Sequence, residues 1–315
     1  MKILKRLLKF VIEWSLIALV AYSTFQAGNF IKAKKDNNNN NNKVEQQITS
    51  EQNNKEENKQ QETNNKLSKE QLDNEFKNIL NKYRSTGSEI GFVYKNFATN
   101  YRYAENDATF FTAASTTKVI FAMHIYDRIR NGELDNDTEV EYFPNLLQDG
   151  GGEITNQPKK DFYPLDYVLK NMIQYSDNTA TMMLMHNETN AMNVKVNYLA
   201  KLGATYPAKQ SLENKISPAL MELAWTNLYN HRDDYKQLLT YLQDSKDNEW
   251  IKNGINNKTV ASKYGGYDTF AHDTALVFGN NKDYLLLIYT NNLRNSAEAI
   301  ENIARDVNSL TDKNM

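Results

Sequence analysis

Between residues 32 and 66 the sequence offers almost nothing from which a core can be built. Asn37 to Asn42 form an unbroken asparagine tract, and the Gln, Glu, Lys and Asn that follow are interrupted by little more than Val44 and Ile48. Such a segment cannot bury enough apolar surface to offset the conformational entropy lost on ordering. It reads as a solvated tether, so a globular fold must lie to one side of it.

The upstream side, residues 1–35, is better suited to a membrane than to a core. Lys2, Lys5, Arg6 and Lys9 precede an apolar run over residues 14–31, near the lower length limit for a spanning helix. Basic residues on the leading side favour an N-terminus inside the cell. An uncleaved anchor is the expectation, and a signal peptide cleaved near Ala21-Tyr22-Ser23 is the alternative. Three segments follow: 1–35 as membrane anchor or signal, 36–66 as disordered linker, and 67–315 as the folded domain. That domain is expected outside the cytoplasm, held by a single-pass anchor, or secreted if the anchor is removed.

Composition narrows the chemistry. With 37 basic and 39 acidic side chains the formal charge is −2, so no global positive field draws the chain to nucleic acid. Zero cysteines exclude disulfides, thiolate zinc sites and a cysteine nucleophile. His124, His186, His231 and His272 are scattered without ligand spacing, and neither a metal nor another cofactor is expected.

Within the body, Ser68 and Gln71 form a capping-box pattern ahead of Leu72, Phe76, Ile79, Leu80 and Tyr83 at helical spacing. Strand-like runs at 90–94 and 100–103 read as a hairpin. Helical patterns then dominate, at 115–130, 164–174, 179–188, 191–202 and 218–229. Strands return at 259–263, 274–278 and 284–290, and an amphipathic helix through Ile300, Ile303, Val307 and Leu310 ends the chain. The expected class is α+β: one antiparallel sheet shared by both ends of the body, with flanking helices and a helical region inserted between them. No internal repeat is apparent.

Three short motifs carry chemistry. Ser115-Thr116-Thr117-Lys118 sets a hydroxyl and an amine three residues apart at a helix start, so that a lysine can take the serine proton. Serine also caps helices everywhere, and this motif alone is weak. Tyr175-Ser176-Asp177-Asn178 falls in a polar break between helical patterns. Ser176 can relay a proton and the Asn178 amide can bind Lys118 or substrate, although the same residues make good helix caps. Val260-Ala261-Ser262-Lys263-Tyr264-Gly265-Gly266 ends a strand with a lysine and two glycines. The lysine can bind a carboxylate, the glycines admit a substrate backbone, and the Gly266 amide can share an oxyanion hole with that of Ser115; the bland alternative is a solvent lysine before a turn.

In this order the three motifs resemble those of the class A β-lactamases and their D,D-peptidase relatives, over about residues 68–310. Phe111 to Val119 is similar to the family's nucleophile stretch, Asn131-Gly132-Glu133-Leu134 to the turn after that helix, and Ala271-His272-Asp273-Thr274-Ala275 to a family strand start. The resemblance implies Ser115 as acyl acceptor, Lys118 as base, Ser176 as proton relay and Lys263 as second active-site lysine. It also implies substrate-binding positions for Asn178, Tyr264 and Gly265.

Three departures stand out. The loop that normally carries the deacylating glutamate is shortened between Ser176 and Pro218, leaving Glu213 as the nearby candidate base. Tyr264 replaces a usual threonine, and Ala271 stands where many relatives carry an arginine. The expectation is an acyl-serine hydrolase or transferase acting on a peptidoglycan-type peptide, amide or ester. The alternatives are a true β-lactamase using Glu213 and a non-catalytic envelope binding module on the same fold.

Overall fold

The computed structural model describes residues 66–246, 249–279 and 282–315. The expected anchor and nearly all of the expected linker lie outside the described residues. Among the described residues no helix is long and apolar enough to cross a membrane.

The body starts with α1 (Lys69–Tyr83), β1 (Glu89–Asn96), β2 (Arg102–Glu105) and β3 (Phe111–Thr112). A 3-10 turn at Ala114–Thr117 leads into α2 (Lys118–Arg130), then β4 (Glu139–Glu141), α3 (Glu153–Asn156), β5 (Phe162–Pro164), α4 (Leu165–Gln174) and α5 (Asn178–His186). Next come α6 (Val194–Lys201), α7 (Ala208–Leu212), β6 (Lys215–Ile216), α8 (Pro218–Asn230), α9 (Lys236–Gln243) and α10 (Trp250–Gly254). β7 (Thr259–Tyr267), β8 (Phe270–Phe278), β9 (Tyr284–Asn291) and α11 (Ser296–Asn314) close the chain.

The capping box holds as read. Gln71 N donates to Ser68 Oγ at 3.2 Å and Ser68 N to Gln71 Oε1 at 2.8 Å, so two backbone amides at the start of α1 find partners. Leu72, Phe76 and Leu80 form its buried stripe. The hairpin is displaced from the expected position: Asn100 is a left-handed turn residue at φ 57°, and the second strand runs instead over Arg102–Glu105.

Five strands form one sheet in the order β2-β1-β9-β8-β7, with every neighbouring pair antiparallel. β1 pairs along its whole length with β9, Phe92 opposite Ile288 and Tyr94 opposite Leu286, so both ends of the body share the sheet as expected. Strand alternation then divides the side chains. Phe92, Tyr94, Leu286 and Ile288 join α1 and α11 through Phe76, Leu80, Ile300, Ile303 and Val307. Val93, Leu285, Leu287 and Tyr289 face the helical region, where they share a core with Met123, Leu169, Met221 and Trp225. With both faces covered, β9 is apolar along nearly its full length.

Two small ladders position the site. β3 pairs with β6, Phe111 opposite Ile216 and Thr112 opposite Lys215, which draws the end of the helical region against the strand before the Ser115 turn. β4 pairs with β5 ahead of α4. Beyond β6, Ser217 caps α8 by accepting from Leu220 N at 3.4 Å, with Pro218 in the first turn, where its missing amide costs nothing.

Candidate active site

Ser115 sits in the 3-10 turn that feeds α2. Ala114, just before it, has φ 47°, a left-handed value that costs a side-chain-bearing residue free energy and persists only where neighbours enforce it. Asn214 is that neighbour. Its Nδ2 donates to Ala114 O at 3.0 Å, its Oδ1 accepts from Thr117 Oγ1 at 3.1 Å, and its backbone carbonyl accepts from Ala113 N at 2.7 Å. From behind, Tyr289 OH donates to Thr116 Oγ1 at 3.0 Å, and Thr116 Oγ1 donates to Ala113 O at 2.8 Å.

Lys118, the first residue of α2, is 7% exposed. Its Nζ lies 2.7 Å from Ser176 O, 3.3 Å from Ser176 Oγ and 2.8 Å from Asn178 Oδ1. The first two motifs therefore meet. Ser176 is itself left-handed at φ 56°, held by Lys118 on its carbonyl and by the next amide, Asp177 N, which donates to Asn171 O at 3.0 Å. Asp177 caps α5: one carboxylate oxygen accepts from Ala180 N at 2.9 Å and Thr155 Oγ1 at 2.7 Å, the other from Thr155 N at 2.9 Å. Gly152 crosses that carboxylate so closely that an added Cβ would stand 2.2 Å from it. The capping reading of this motif holds on Asp177, which builds the loop, while Ser176 and Asn178 turn to Lys118.

β7 brings the third motif alongside. At Gly265 an added Cβ would lie 2.9 Å from Ser115 N and 2.9 Å from Ala113 O, so the bare glycine admits the turn that carries Ser115. Gly266 opens onto the cleft, with nothing within 4 Å of an added Cβ. Lys263 is 1% exposed, its ammonium 4.4 Å from the centroid of the Tyr264 ring. On β8, His272 accepts from Thr290 N at Nδ1 and donates through Nε2 to Thr112 O at 2.8 Å. Burial depresses its pKa to about 4, leaving a neutral ring that braces β3.

Asp273, opposite Tyr264 in the ladder, is wholly buried. Burial lifts its pKa from 3.8 to about 7, against the opposing pull of the Ile251 and Thr274 amides and the Lys263 and Lys252 charges. The folded protein thus holds this proton more tightly than the unfolded chain does. Asp273 contributes most to stability below about pH 4, and that contribution is lost as pH rises through about 7. Melting temperatures of wild type and Asp273→Asn should diverge in the variant's favour between pH 4 and 7. A constant difference across that range would show that Asp273 does not titrate there.

A cleft of about 590 Å³ opens beside Ser115, with Lys118, Asn178 and Gly266 on its walls. The family model described as the Beta-lactamase enzyme family matches residues 71–310. The chain belongs to that β-lactamase family. Among solved structures it is similar to PBP-A, at 20% identity over 76% of this chain and 96% of that one, with a TM-score of 0.69. A PBP-A variant solved as its acyl-enzyme with penicillin G matches at 20% identity over 77% of this chain and 97% of that one, TM-score 0.68. A β-lactamase from Sphaerobacter thermophilus matches at 19% identity over 76% and 97%, TM-score 0.68. No curated protein matches the chain.

In this β-lactamase-family serine hydrolase, the loop around α7 carries the candidate base that the sequence offered. Glu213 lines the cleft, yet its carboxylate pairs with Lys215 at 2.8 Å and Lys209 at 3.9 Å. The Lys215 hydrogen bond, then its charge, hold Glu213 below the ordinary carboxylate range, and its side chain is 38% exposed. A weakly basic, solvated carboxylate is poorly suited to activating water. Tyr264 packs edge-on against Trp250, at 5.9 Å between centroids. Two cleft residues escape a reading of the sequence: Asn214, which fixes the strained turn, and Lys195. Their local patterns, a polar residue before a short strand and a lysine at the start of an ordinary amphipathic helix, give no signal. Among the described residues no cluster of side chains is suited to a metal ion.

Proposed function

We propose that the protein is an extracytoplasmic acyl-serine hydrolase or transferase acting on a peptidoglycan-type peptide or a related amide or ester. The observation that carries this reading is the convergence of Lys118, Ser176 and Asn178 within 3.3 Å beside the cleft that exposes Ser115. Ser115 Oγ attacks the substrate carbonyl while the Lys118 amine takes its proton. Negative charge on the carbonyl oxygen is met by the amides of Ser115 and Gly266. The bond to the leaving group breaks, Ser176 delivers the proton to it from Lys118, and the acyl group remains on Ser115. Lys263 adds positive potential for a carboxylate on the leaving side.

Location outside the cytoplasm rests on the basic and apolar run of residues 1–35. The non-catalytic reading is disfavoured by contacts that keep Lys118 on Ser176, and the glutamate-assisted reading by the ion pairs of Glu213. Labelled penicillin should leave its full mass on the peptide carrying Ser115, and Ser115→Ala should take up none. A folded wild type that takes up no label would remove the reading.

A further inference from the structure

The cleft holds a cation that this chemistry leaves unused. Lys195, the second residue of α6, lines the cleft together with Ser211 and Leu212 of α7. Its Nζ donates to Asn214 Oδ1 at 3.0 Å and to Ser211 O at 3.3 Å, both neutral acceptors. An ammonium has three N–H donors, so one remains. Among the described residues no carboxylate lies within ion-pairing distance of it. Glu213 shares the cleft but is committed to Lys215 and Lys209.

Apolar side chains share the cleft with Lys195: Phe121, Met185, Met192 and Leu212 line it, and Met192 and Leu212 are 50% and 59% exposed. Burial alone pulls the Lys195 pKa down to about 8, which leaves it mostly cationic at neutral pH. A partly desolvated cation without a counter-charge costs free energy that a bound anion offsets. Its place is also fixed relative to the nucleophile, because Asn214 holds Lys195 with Oδ1 and the Ser115 turn with Nδ2.

We propose that Lys195 is an anion subsite for the acyl group, so that preferred acyl donors carry a carboxylate on the part retained by Ser115, with its chain against the apolar wall. This rests on the acyl-serine reading, in which the leaving group departs towards Ser176 and Lys263 and the α6–α7 wall meets what stays behind. A peptide whose acyl-donating residue bears a free side-chain carboxylate has this chemistry.

Benzylpenicillin and carbenicillin differ by one carboxylate on the acyl side chain, and the ratio of their Ser115 acylation rates reads the subsite directly. In the full-length protein the carboxylated probe should react about tenfold faster, the scale of one partly buried charge pair. Lys195→Met should bring the ratio to about one, and Lys195→Arg should retain most of it. An unchanged ratio in Lys195→Met, or equal slowing of both probes, would overturn the proposal. In a Ser115→Ala background the same pair serves as reversible ligands in calorimetry. Carbenicillin should bind more tightly there, and adding Lys195→Met should abolish the difference. Equal binding of the two before Lys195 is changed would overturn the subsite. This comparison decides it even if Ser115 proves unreactive, an outcome that would count against the acyl-serine reading alone.

Discussion

Lys118→Ala should slow acylation of Ser115 by about two to four orders of magnitude, the usual effect of removing a positioned general base. A serine hydroxyl is a poor nucleophile at its own pKa, and Lys118 is the amine that the 3-10 turn and α2 bring to the cleft with it. Removing the amine also takes a donor from Ser176 O and Asn178 Oδ1, so a modest loss of stability, about 1–3 kcal/mol, should accompany the kinetic effect. Lys118→Arg separates the two roles. A guanidinium keeps the positive charge but cannot give up its proton, so it should restore stability better than rate. Stopped-flow acylation with a chromogenic β-lactam, alongside thermal melts, measures both. Wild-type rates in Lys118→Ala would reject the assignment.

Much of this machinery was legible because it is local. Ser115 and Lys118 are three residues apart at a helix start, and Ser176 and Asn178 flank one cap. The sheet was legible where strands are apolar and stopped where they are not. β8 was expected from residue 274, yet it begins at Phe270, because His272 and Asp273 are buried polar residues whose partners, Thr112 O, Thr290 N and Ile251 N, are remote in sequence. β7 likewise runs on past its expected end at residue 263 through Gly265 and Gly266, which pair in the ladder with His272 and Ala271. Asn214 and Lys195 were illegible for a stronger reason. A two-residue ladder between β3 and β6 carries Asn214 to the Ser115 turn, and pairing so short and so distant leaves no periodic trace.

The second large effect concerns deacylation. In the proposed mechanism acylation draws on Ser115, Lys118 and Ser176; hydrolysis of the acyl-enzyme would also need a base to hold and activate water against the ester carbonyl. Glu213 is the candidate carboxylate at the cleft, and its pairing with Lys215 and Lys209 lowers its basicity and holds it towards cations. Asp177, between Ser176 and Asn178, spends its carboxylate on Thr155 and Ala180. The acyl-enzyme should therefore accumulate, with deacylation slower than acylation by orders of magnitude and little further change in Glu213→Ala.

Intact-protein mass spectrometry after mixing with excess penicillin, then removing it, measures this directly. The account predicts one equivalent of adduct formed in a single burst, carried by Ser115 and persisting long after free penicillin is gone. Multiple turnover without a burst, with unmodified protein as the dominant species throughout, would contradict it.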